Sequence, residues 1–582
     1  MGVLSLVLPS VTNVGSITAQ ESGVTDGEYT VVSKGHSEGL ELLVTFEQGA
    51  IANVEVVSHN ETQGISDAAI KEIPQQIVEH NSTNVEIVSG ATETSNGIRE
   101  GVSQAIMDAG GSVSDFFAEV ESETPVEVET IEYQTDIVVA GGGIAGLSAA
   151  VEAYHNGAEV MLLEKQPFVG GSTMLSGGKI LAAESSIQQA FGEDSTWEEL
   201  ADYFYEVSEE QGDREFIDYI AQHSAESIEW LLEHGVEISE ELEQLHSSIE
   251  PYWGHFSANG SGSGLTEPLY QYLIDEGVEV LLSTPVNKLL QDDTGKVVGV
   301  EATDAKGNKI IVHAESVVLA TGGFTMNEEM MAERHPYLEV FKANASPGNT
   351  GDGILMAEEI GAQTVFHDSG IDLAVNAPTY YGYGEEAKGL FVTQTGERFI
   401  DESRFHFERS REMWELGETV AYVITTEVND RVLQAVEIGT AYAADSIEEL
   451  GDLIEADREN QGVGMATDVL VETVDRYNEL AVAGEDADFG KDAQYMVPVE
   501  GETYYAIRMT TSNSGTIGGL VVTLDGEVLD TEDEAIEGLY AVGELASGQY
   551  MYIAYPGSGT AIISYLTLGR HVGEHVATQL AE

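Results

Sequence analysis

The run Ile137-Val138-Val139-Ala140-Gly141-Gly142-Gly143-Ile144-Ala145-Gly146 constrains the fold of this chain more than any other stretch. Its apolar start reads as a buried strand, its glycines as a turn, and Leu147-Ser148-Ala149-Ala150-Val151 as the helix that follows. A second apolar strand, Val160-Met161-Leu162-Leu163, ends on the acidic Glu164. Together they form a βαβ unit, which needs a parallel sheet with helices over its faces. The glycine spacing gives each position a task. Gly141 allows the tight turn, Gly143 lets backbone approach a pyrophosphate, and Gly146 permits close packing of helix on strand. Amides at the helix start, at Ile144 and Ala145, favour phosphate through the helix dipole. Glu164 is placed to accept from both ribose hydroxyls, with Lys165 beside it. A lone glycine fingerprint is a weak signal; strand, helix and acidic residue in register make this a dinucleotide site.

Composition narrows the partners. Of 582 residues, 103 are acidic and 23 basic, a formal net charge of -80. The acidity runs along the whole chain, so it reads as a solvated surface suited to salt or high pH. It disfavours nucleic acid and anionic membrane as partners. Cysteine is absent, which leaves no ligand for c-type haem attachment or a cysteine-bound iron–sulfur cluster, and no thiol nucleophile. An electron relay in such a chain is organic, with neither haem nor a metal site expected. Residues 1–24 read as a leader: Leu4-Ser5-Leu6-Val7-Leu8 is apolar and Ile17-Thr18-Ala19 has the form of a cleavage site, although the first basic residue is Lys34. The expectation is an extracytoplasmic protein, secreted, periplasmic or at the cell surface, with an incomplete leader.

Residues 25–110 read as a small α+β unit, with extended runs at Glu28-Tyr29-Thr30-Val31-Val32, 39–46 and 51–57 and a helix over 66–79. Residues 111–134, rich in Glu with Ser, Thr and Pro125, read as a linker. From 135 to 362 the pattern is α/β. It starts with the strand Asp136 to Ala140, passes a helical stretch from Trp197 to Gly235 and closes on Ser316-Val317-Val318-Leu319-Ala320. Residues 363–514 mix helical and extended patterns. Nucleotide-domain character returns over 515–582, at Gly518-Gly519-Leu520 and Gly538-Leu539-Tyr540-Ala541-Val542-Gly543-Glu544. The expected fold class is α/β: a split Rossmann-like domain with an inserted α+β cap, preceded by a small α+β domain. Clefts between such bodies are where substrates bind.

Further motifs sharpen this frame. Gly170-Gly171-Ser172-Thr173 with Ser176-Gly177-Gly178, Ala320-Thr321-Gly322-Gly323, Asn349-Thr350-Gly351-Asp352-Gly353 and Gly543-Glu544 resemble the fumarate reductase and succinate dehydrogenase flavoprotein superfamily, over most of 135–580. Within it the chain is similar to flavocytochrome c-type reductases, urocanate reductases and ketosteroid dehydrogenases. The resemblance implies non-covalent FAD across the split domain, its reactive ring facing the cap. Cofactor contacts would then come from Gly171, Ser172, Thr173, Ser176, Gly177, Gly178, Thr321, Gly322, Asp352, Gly543 and Glu544, besides the residues of the glycine turn. Gly559 and Thr560 open a helix whose positive end would stabilise charge on the flavin pyrimidine. Residues 25–110 resemble the FMN-binding domain fused to such reductases, where a flavin transferase esterifies FMN to a threonine. Ser89-Gly90-Ala91-Thr92 matches that motif, so Thr92 is the implied attachment point, with Glu86 and Ile87 where the motif has Asp and a small residue.

The same resemblance speaks to the substrate. Dicarboxylate reductases of the family hold substrate with two histidines and an arginine. Here Ala377 precedes Pro378-Thr379-Tyr380, Ser514-Gly515-Thr516 leads into Ile517-Gly518-Gly519-Leu520, and Tyr555-Pro556-Gly557-Ser558-Gly559 replaces the arginine segment. A carboxylate desolvated without partners costs several kcal/mol, which argues against fumarate. The Tyr555 to Gly559 segment looks like the one by which ketosteroid dehydrogenases hold a carbonyl, with donors at the Tyr hydroxyl and the Gly amide. Tyr380, Tyr381, Tyr383, Tyr550 and Tyr552 would add an aromatic lining. In Gly396-Glu397-Arg398-Phe399-Ile400-Asp401-Glu402, Arg398 reads as structural; the proton donor is Arg404 or His406, the latter at the family arginine's place by counting. His255 also reads as structural. The expected function is an extracytoplasmic two-flavin reductase of an activated C=C bond in a non-dicarboxylate substrate, enoate or enone, with urocanate open. Electrons would come from a membrane-associated or soluble donor. A 3-ketosteroid-type dehydrogenase running in reverse, or a flavin carrier without a small-molecule substrate, are the alternatives.

Overall fold

Alternation places Leu40, Leu42, Val44 and Phe46 of one strand on a single face, and all of them are fully buried. In the computed structural model, described over residues 24–61, 66–85, 87–88, 91–117, 128–244, 253–338, 341–376, 379, 381, 385–404, 406–456 and 464–581, this strand is the middle of three. They are β1 (Gly27–Lys34), β2 (Glu38–Glu47) and β3 (Ala50–Ser58), antiparallel in that order. Helices α1 (Asp67–His80) and α2 (Thr92–Asp108) cover the apolar face with Ile73, Ile77, Ile98 and Val102. Each fully buried aliphatic side chain of this kind stabilises by about 1.5–3 kcal/mol, which gives a small unit its own core. Phe116, within the stretch expected as linker, is fully buried in that core.

Contacts divide the chain into residues 1–125 and 126–582. The second unit is built on a sheet with the order Val286–Gln291, Val297–Thr303, Lys309–Leu319, β4 (Thr130–Ala140), β5 (Val160–Leu163) and Glu279–Leu281, with Ala535–Ala541 also on Lys309–Leu319. Strands β4 and β5 are parallel neighbours, Val138 opposite Met161, joined through α3 (Ile144–His155). The strand expected from Asp136 starts at Thr130, because residues 130–135 pair with 309–314. That half of β4 alternates between exposed and half-buried positions, so its apolar signal is weak. The helical stretch from Trp197 to Gly235 is three helices, Trp197–Val207, Arg214–Gln222 and Ser224–Glu233, of which Asp213 caps the second through the Glu215 amide.

A short strand, β6 (Lys179–Leu181), runs antiparallel to Trp253–Phe256. A second large sheet carries the long pair β7 (Thr364–Val375) and β8 (Tyr504–Leu520), with Leu390–Thr393 and Val420–Thr425 on its far side. Between the last two strands lies α4 (His406–Glu415). Ile517 and Leu520 of β8 belong to the core of the first sheet, Ile507 and Met509 to a separate one. The pair β7–β8 therefore passes from one core to the other. The chain closes with α5 (Thr560–Ala581), which lies on α3. A Cβ on Gly569 would stand 2.6 Å from the Ala145 carbonyl oxygen, so the two helices touch backbone to backbone.

Candidate active site and flavin cradles

The glycine turn shows three different needs. Gly141 has φ +113, and a Cβ there would lie 2.2 Å from the Ala320 carbonyl oxygen. A Cβ on Gly146 would lie 2.0 Å from the Gly141 oxygen. Around Gly143 nothing of the protein lies within 4 Å of that position. The first and third glycines are required by packing; the second leaves space where the pattern places a pyrophosphate. At the end of β5, Glu164 accepts the Gly142 and Gln166 amides, both at 2.6 Å. Burial pushes its carboxyl up, while these amides and Lys165 pull it down. Lys165 reaches across to Thr350 Oγ1 at 2.5 Å and Asp352 at 2.7 Å, tying β5 to the loop that starts the helix Asp352–Glu359.

The Gly170 amide donates to the Gly142 carbonyl at 2.7 Å and brings Gly171, Ser172 and Thr173 beside Gly143. Ser172 Oγ accepts the Ser346 amide at 3.0 Å, and Ser176 Oγ donates to the Thr173 carbonyl at 2.6 Å. Gly177 faces open space, and the Gly178 amide donates to Ser176 Oγ. Glu544, after Gly543, is buried; its two oxygens accept the Thr516 amide at 2.8 Å and Asn349 Nδ2 at 2.9 Å. Burial raises its carboxyl against these bonds. Asn349 also stands 3.0 Å from where a Gly322 Cβ would be.

These groups fit FAD. Gln166 Oε1, Thr321 Oγ1 and Thr560 Oγ1 are buried with no hydrogen-bond partner among the described residues. Buried polar atoms in native folds find a partner in protein, water or ligand. Thr321 lies against Gly141, Gln166 follows Lys165, and Thr560 opens α5, so the orphaned atoms sit along the cradle. FAD when bound would be held by these residues, with Glu164 toward its ribose.

At the far end of the cradle, Gly559 (φ +93) rests on β6, and its carbonyl accepts the Leu181 amide at 3.4 Å. Tyr203 donates its hydroxyl to the Pro556 carbonyl, pinning the loop from below. Tyr555, half-buried, accepts the Ala561 amide at 3.5 Å. The tyrosine hydroxyl thus stands at the first turn of α5, beside Gly559 and Thr560. Tyr550 stacks on Phe216 at 5.7 Å, and burial pushes its hydroxyl up. Tyr552 has φ +53, a strained conformation for a bulky residue, against the His367 ring at 4.4 Å. Tyr381 is buried; Tyr380, Tyr383 and Ala377 lie outside the described residues.

Arg398 is paired on both sides, with Glu402 at 2.8 Å and 2.9 Å and Asp486 at 2.8 Å and 3.0 Å, while Lys491 reaches Glu402 at 3.1 Å. Burial opposes its charge and these carboxylates more than restore it. His255, buried against Ser185 at 2.6 Å, is lowered by burial to about 4 and stays neutral at neutral pH. Arg404 has a side chain 50% exposed and pairs with Glu408 at 3.3 Å; no described contact joins it to Tyr555 or Gly559. His406 is the first residue of α4, its side chain outside those described. The same helix carries the fully buried Arg409, 5.7 Å from the Phe391 ring, which sequence reasoning passed over. It also passed over Asn349, Thr516 and Tyr203 as supports, because their partners lie some 28 to 353 residues away.

In the small unit, Thr92 is exposed at the first position of α2, and Ala91 before it offers no capping oxygen. Glu61 accepts the His36 amide at 3.1 Å, the Ser37 amide at 2.9 Å and the Thr94 hydroxyl, holding the loop after β1 on the start of α2. Ser89 and Gly90 lie outside the described residues. Among the described residues no helix is long and apolar enough to cross a membrane.

A nucleotide cradle of this kind, in a chain that carries a separate flavin module, defines a two-flavin protein. Residues 136–562 match the FAD binding domain family and residues 35–107 the FMN-binding domain. The chain belongs to the fumarate reductase and succinate dehydrogenase flavoprotein superfamily, with FAD and FMN as its cofactors. It is 30% identical to the urocanate reductase of Eggerthella lenta, over 97% of this chain and 94% of that one. It is 29% identical to the NADH:acrylate oxidoreductase of Vibrio harveyi over 94% of this chain, and spans 61% of that protein's length. Among solved structures it is similar to a 3-ketosteroid-delta4-(5alpha)-dehydrogenase from Rhodococcus jostii RHA1 in complex with 4-androstene-3,17-dione, with TM-score 0.63, 28% identity, and coverage of 78% of this chain and 99% of that one.

Proposed function

We propose that this chain reduces the activated C=C bond of an enoate or enone with at most one carboxylate, FMN relaying electrons from a donor and FAD supplying hydride to the β-carbon. The carrying observation is the Tyr555 to Gly559 loop, held at the first turn of α5 by Tyr203 and β6. A carbonyl placed there meets the Tyr555 hydroxyl and the Gly559 amide as donors, and the helix dipole adds to both. Tyr555-Pro556-Gly557-Ser558-Gly559 stands where the family's dicarboxylate enzymes have their arginine segment, and Ser514-Gly515-Thr516 where they carry a histidine. A second carboxylate would be left without a partner.

Arg404 or His406, at the start of α4, gives the proton to the α-carbon. Thr92 is the FMN acceptor, its exposure leaving it open to a flavin transferase. The similarity to reductases named for urocanate and acrylate supports the direction of reaction. The similarity to the Rhodococcus enzyme supports a second reading, dehydrogenation of a 3-ketosteroid, through the same two carbonyl donors. The proposal extends to location, outside the cytoplasm, with a membrane-associated or soluble donor; cell fractionation that finds the native protein only in cytosol would end that part of it.

The test is anaerobic. Holoprotein reduced by dithionite is mixed with urocanate, acrylate, a steroid enone and fumarate, and reoxidation is followed at the flavin band. Rapid reoxidation by a monocarboxylate or an enone, with fumarate inert, is expected. Fumarate turnover matching the best of the others would show that the clamp argument is wrong.

A further inference from the structure

Helix α4 opens on one proton-donor candidate, His406, with Arg404 two residues before it, and Tyr337 from outside its own sheet packs against its other end. Tyr337 belongs to the core of the first sheet, with Leu338 and Phe341. The Arg411 guanidinium of α4 lies 4.6 Å from the centre of the Tyr337 ring, and the Trp414 ring stands edge-on at 5.3 Å. On its other side the Tyr337 hydroxyl donates to Asp372 at 2.7 Å, and its amide donates to Asp368 at 3.1 Å. Both carboxylates are on β7. Asp372 faces Asn513 of β8 in the register, at the point where the strand pair leaves one core for the other. The register of β7 shifts on either side of Ser369 and Gly370, and Asp368 has φ +50.

Tyr337 joins three bodies: the first core, the strand β7 and the helix α4. Its hydroxyl and the Asp372 carboxyl are both buried and both interact with Arg411 of α4, so removing either breaks a bond at the point where β7 meets the helix. Burial pushes the Asp372 carboxyl up to about 7, and the Tyr337 hydroxyl holds it back. No step of the reaction uses either group.

We propose that Tyr337 and Asp372 are positioning residues that set where α4 lies on β7, and through it where the proton donor at the start of α4 meets the substrate. This rests on the reading that Arg404 or His406 is that donor. Misplacement of a reacting group by about 1 Å can cost as much as 10²-fold in rate.

The test uses the two-flavin holoprotein. Tyr337→Phe keeps the ring against Arg411 and Trp414 and removes only the hydroxyl. Asp372→Leu removes the acceptor, and Asp372→Asn keeps an oxygen for it. Tyr337→Phe and Asp372→Leu are expected to speed hydrogen exchange of the α4 amides and to lower reoxidation by urocanate or acrylate roughly tenfold at unchanged KM. Dithionite reduction should be unaffected, and Asp372→Asn should stay near wild type. Unchanged α4 exchange in Tyr337→Phe, or equal losses in Asp372→Asn and Asp372→Leu, would overturn the positioning. Wild-type rates in both Arg404→Ala and His406→Ala would instead remove the donor from α4 and overturn the reading beneath it. If Asp372→Leu does not fold, the exchange of Tyr337→Phe decides alone.

Discussion

Tyr555 and Gly559 are four residues apart, yet their arrangement depends on contacts far along the chain. The Tyr555 hydroxyl meets the Ala561 amide, and Gly559 leans on Leu181. Removing one preorganised donor from a developing oxyanion costs on the order of 10²-fold in turnover. Tyr555→Phe should show that loss with FAD content unchanged; a loss of FAD in step with activity would assign the residue to cofactor binding. Thr92 is the other residue whose chemistry is tested singly. Protein matured with a flavin transferase should keep a yellow fluorescent chromophore through acid precipitation, and Thr92→Ala should lose it. The FMN-binding module was legible because its pattern is local. The supports of the carbonyl loop were not, because Tyr203 is 353 residues from its acceptor Pro556.

At the scale of elements, the βαβ start is readable from sequence since strand, turn and helix are local patterns. The reason for each glycine is tertiary. A methyl group on Gly146 would press on the Gly141 carbonyl in the turn that precedes α3. Gly146→Ala is expected to destabilise by about 1–3 kcal/mol through overpacking and to lower FAD occupancy in proportion. Gly143→Ala, with space around it, should leave the melting temperature of the apoprotein unchanged and weaken FAD alone. Equal effects of the two variants on the apoprotein would refute this division. The pair of Arg398 with Glu402 and Asp486 marks the other sheet. Truncating it strands buried carboxylates, so Arg398→Ala should cost about 3–5 kcal/mol in chemical denaturation, far more than an exposed pair such as Arg404 with Glu408.

For the whole molecule, pH and salt act through charge. His255 and His335 are held by burial at about 4. The unfolded chain takes up their protons near 6.5, so the stability they contribute is complete above that pH and is lost as pH falls toward 4. Asp372, raised to about 7, works the other way, and its contribution fades as pH rises through 7. Between pH 6.5 and 4.5 His335→Leu should therefore lose less stability than the parent protein; parallel slopes of melting temperature against pH would contradict the assignment. The net charge of -80 predicts a rise of melting temperature with salt. Screening shortens from about 10 Å at 0.1 M to about 3 Å at 1 M, which relieves self-repulsion in the compact state. A flat response from 0.1 to 2 M sodium chloride would remove repulsion as a factor.

The sequence by itself determined the two flavin modules, their order and the glycine cradle, because those depend on patterns within about 30 residues. It also determined that Arg398 is paired, since a cation in so acidic a chain finds carboxylates. Only the tertiary structure decided which carboxylates hold it, that β7 and β8 carry the chain between two cores, and that Arg404 lies at a half-exposed position beside Glu408. It alone joined Tyr337 to α4 and Asp372, residues 35 to 77 positions apart. Such contacts are made by surfaces that meet after folding, and no local periodicity records them.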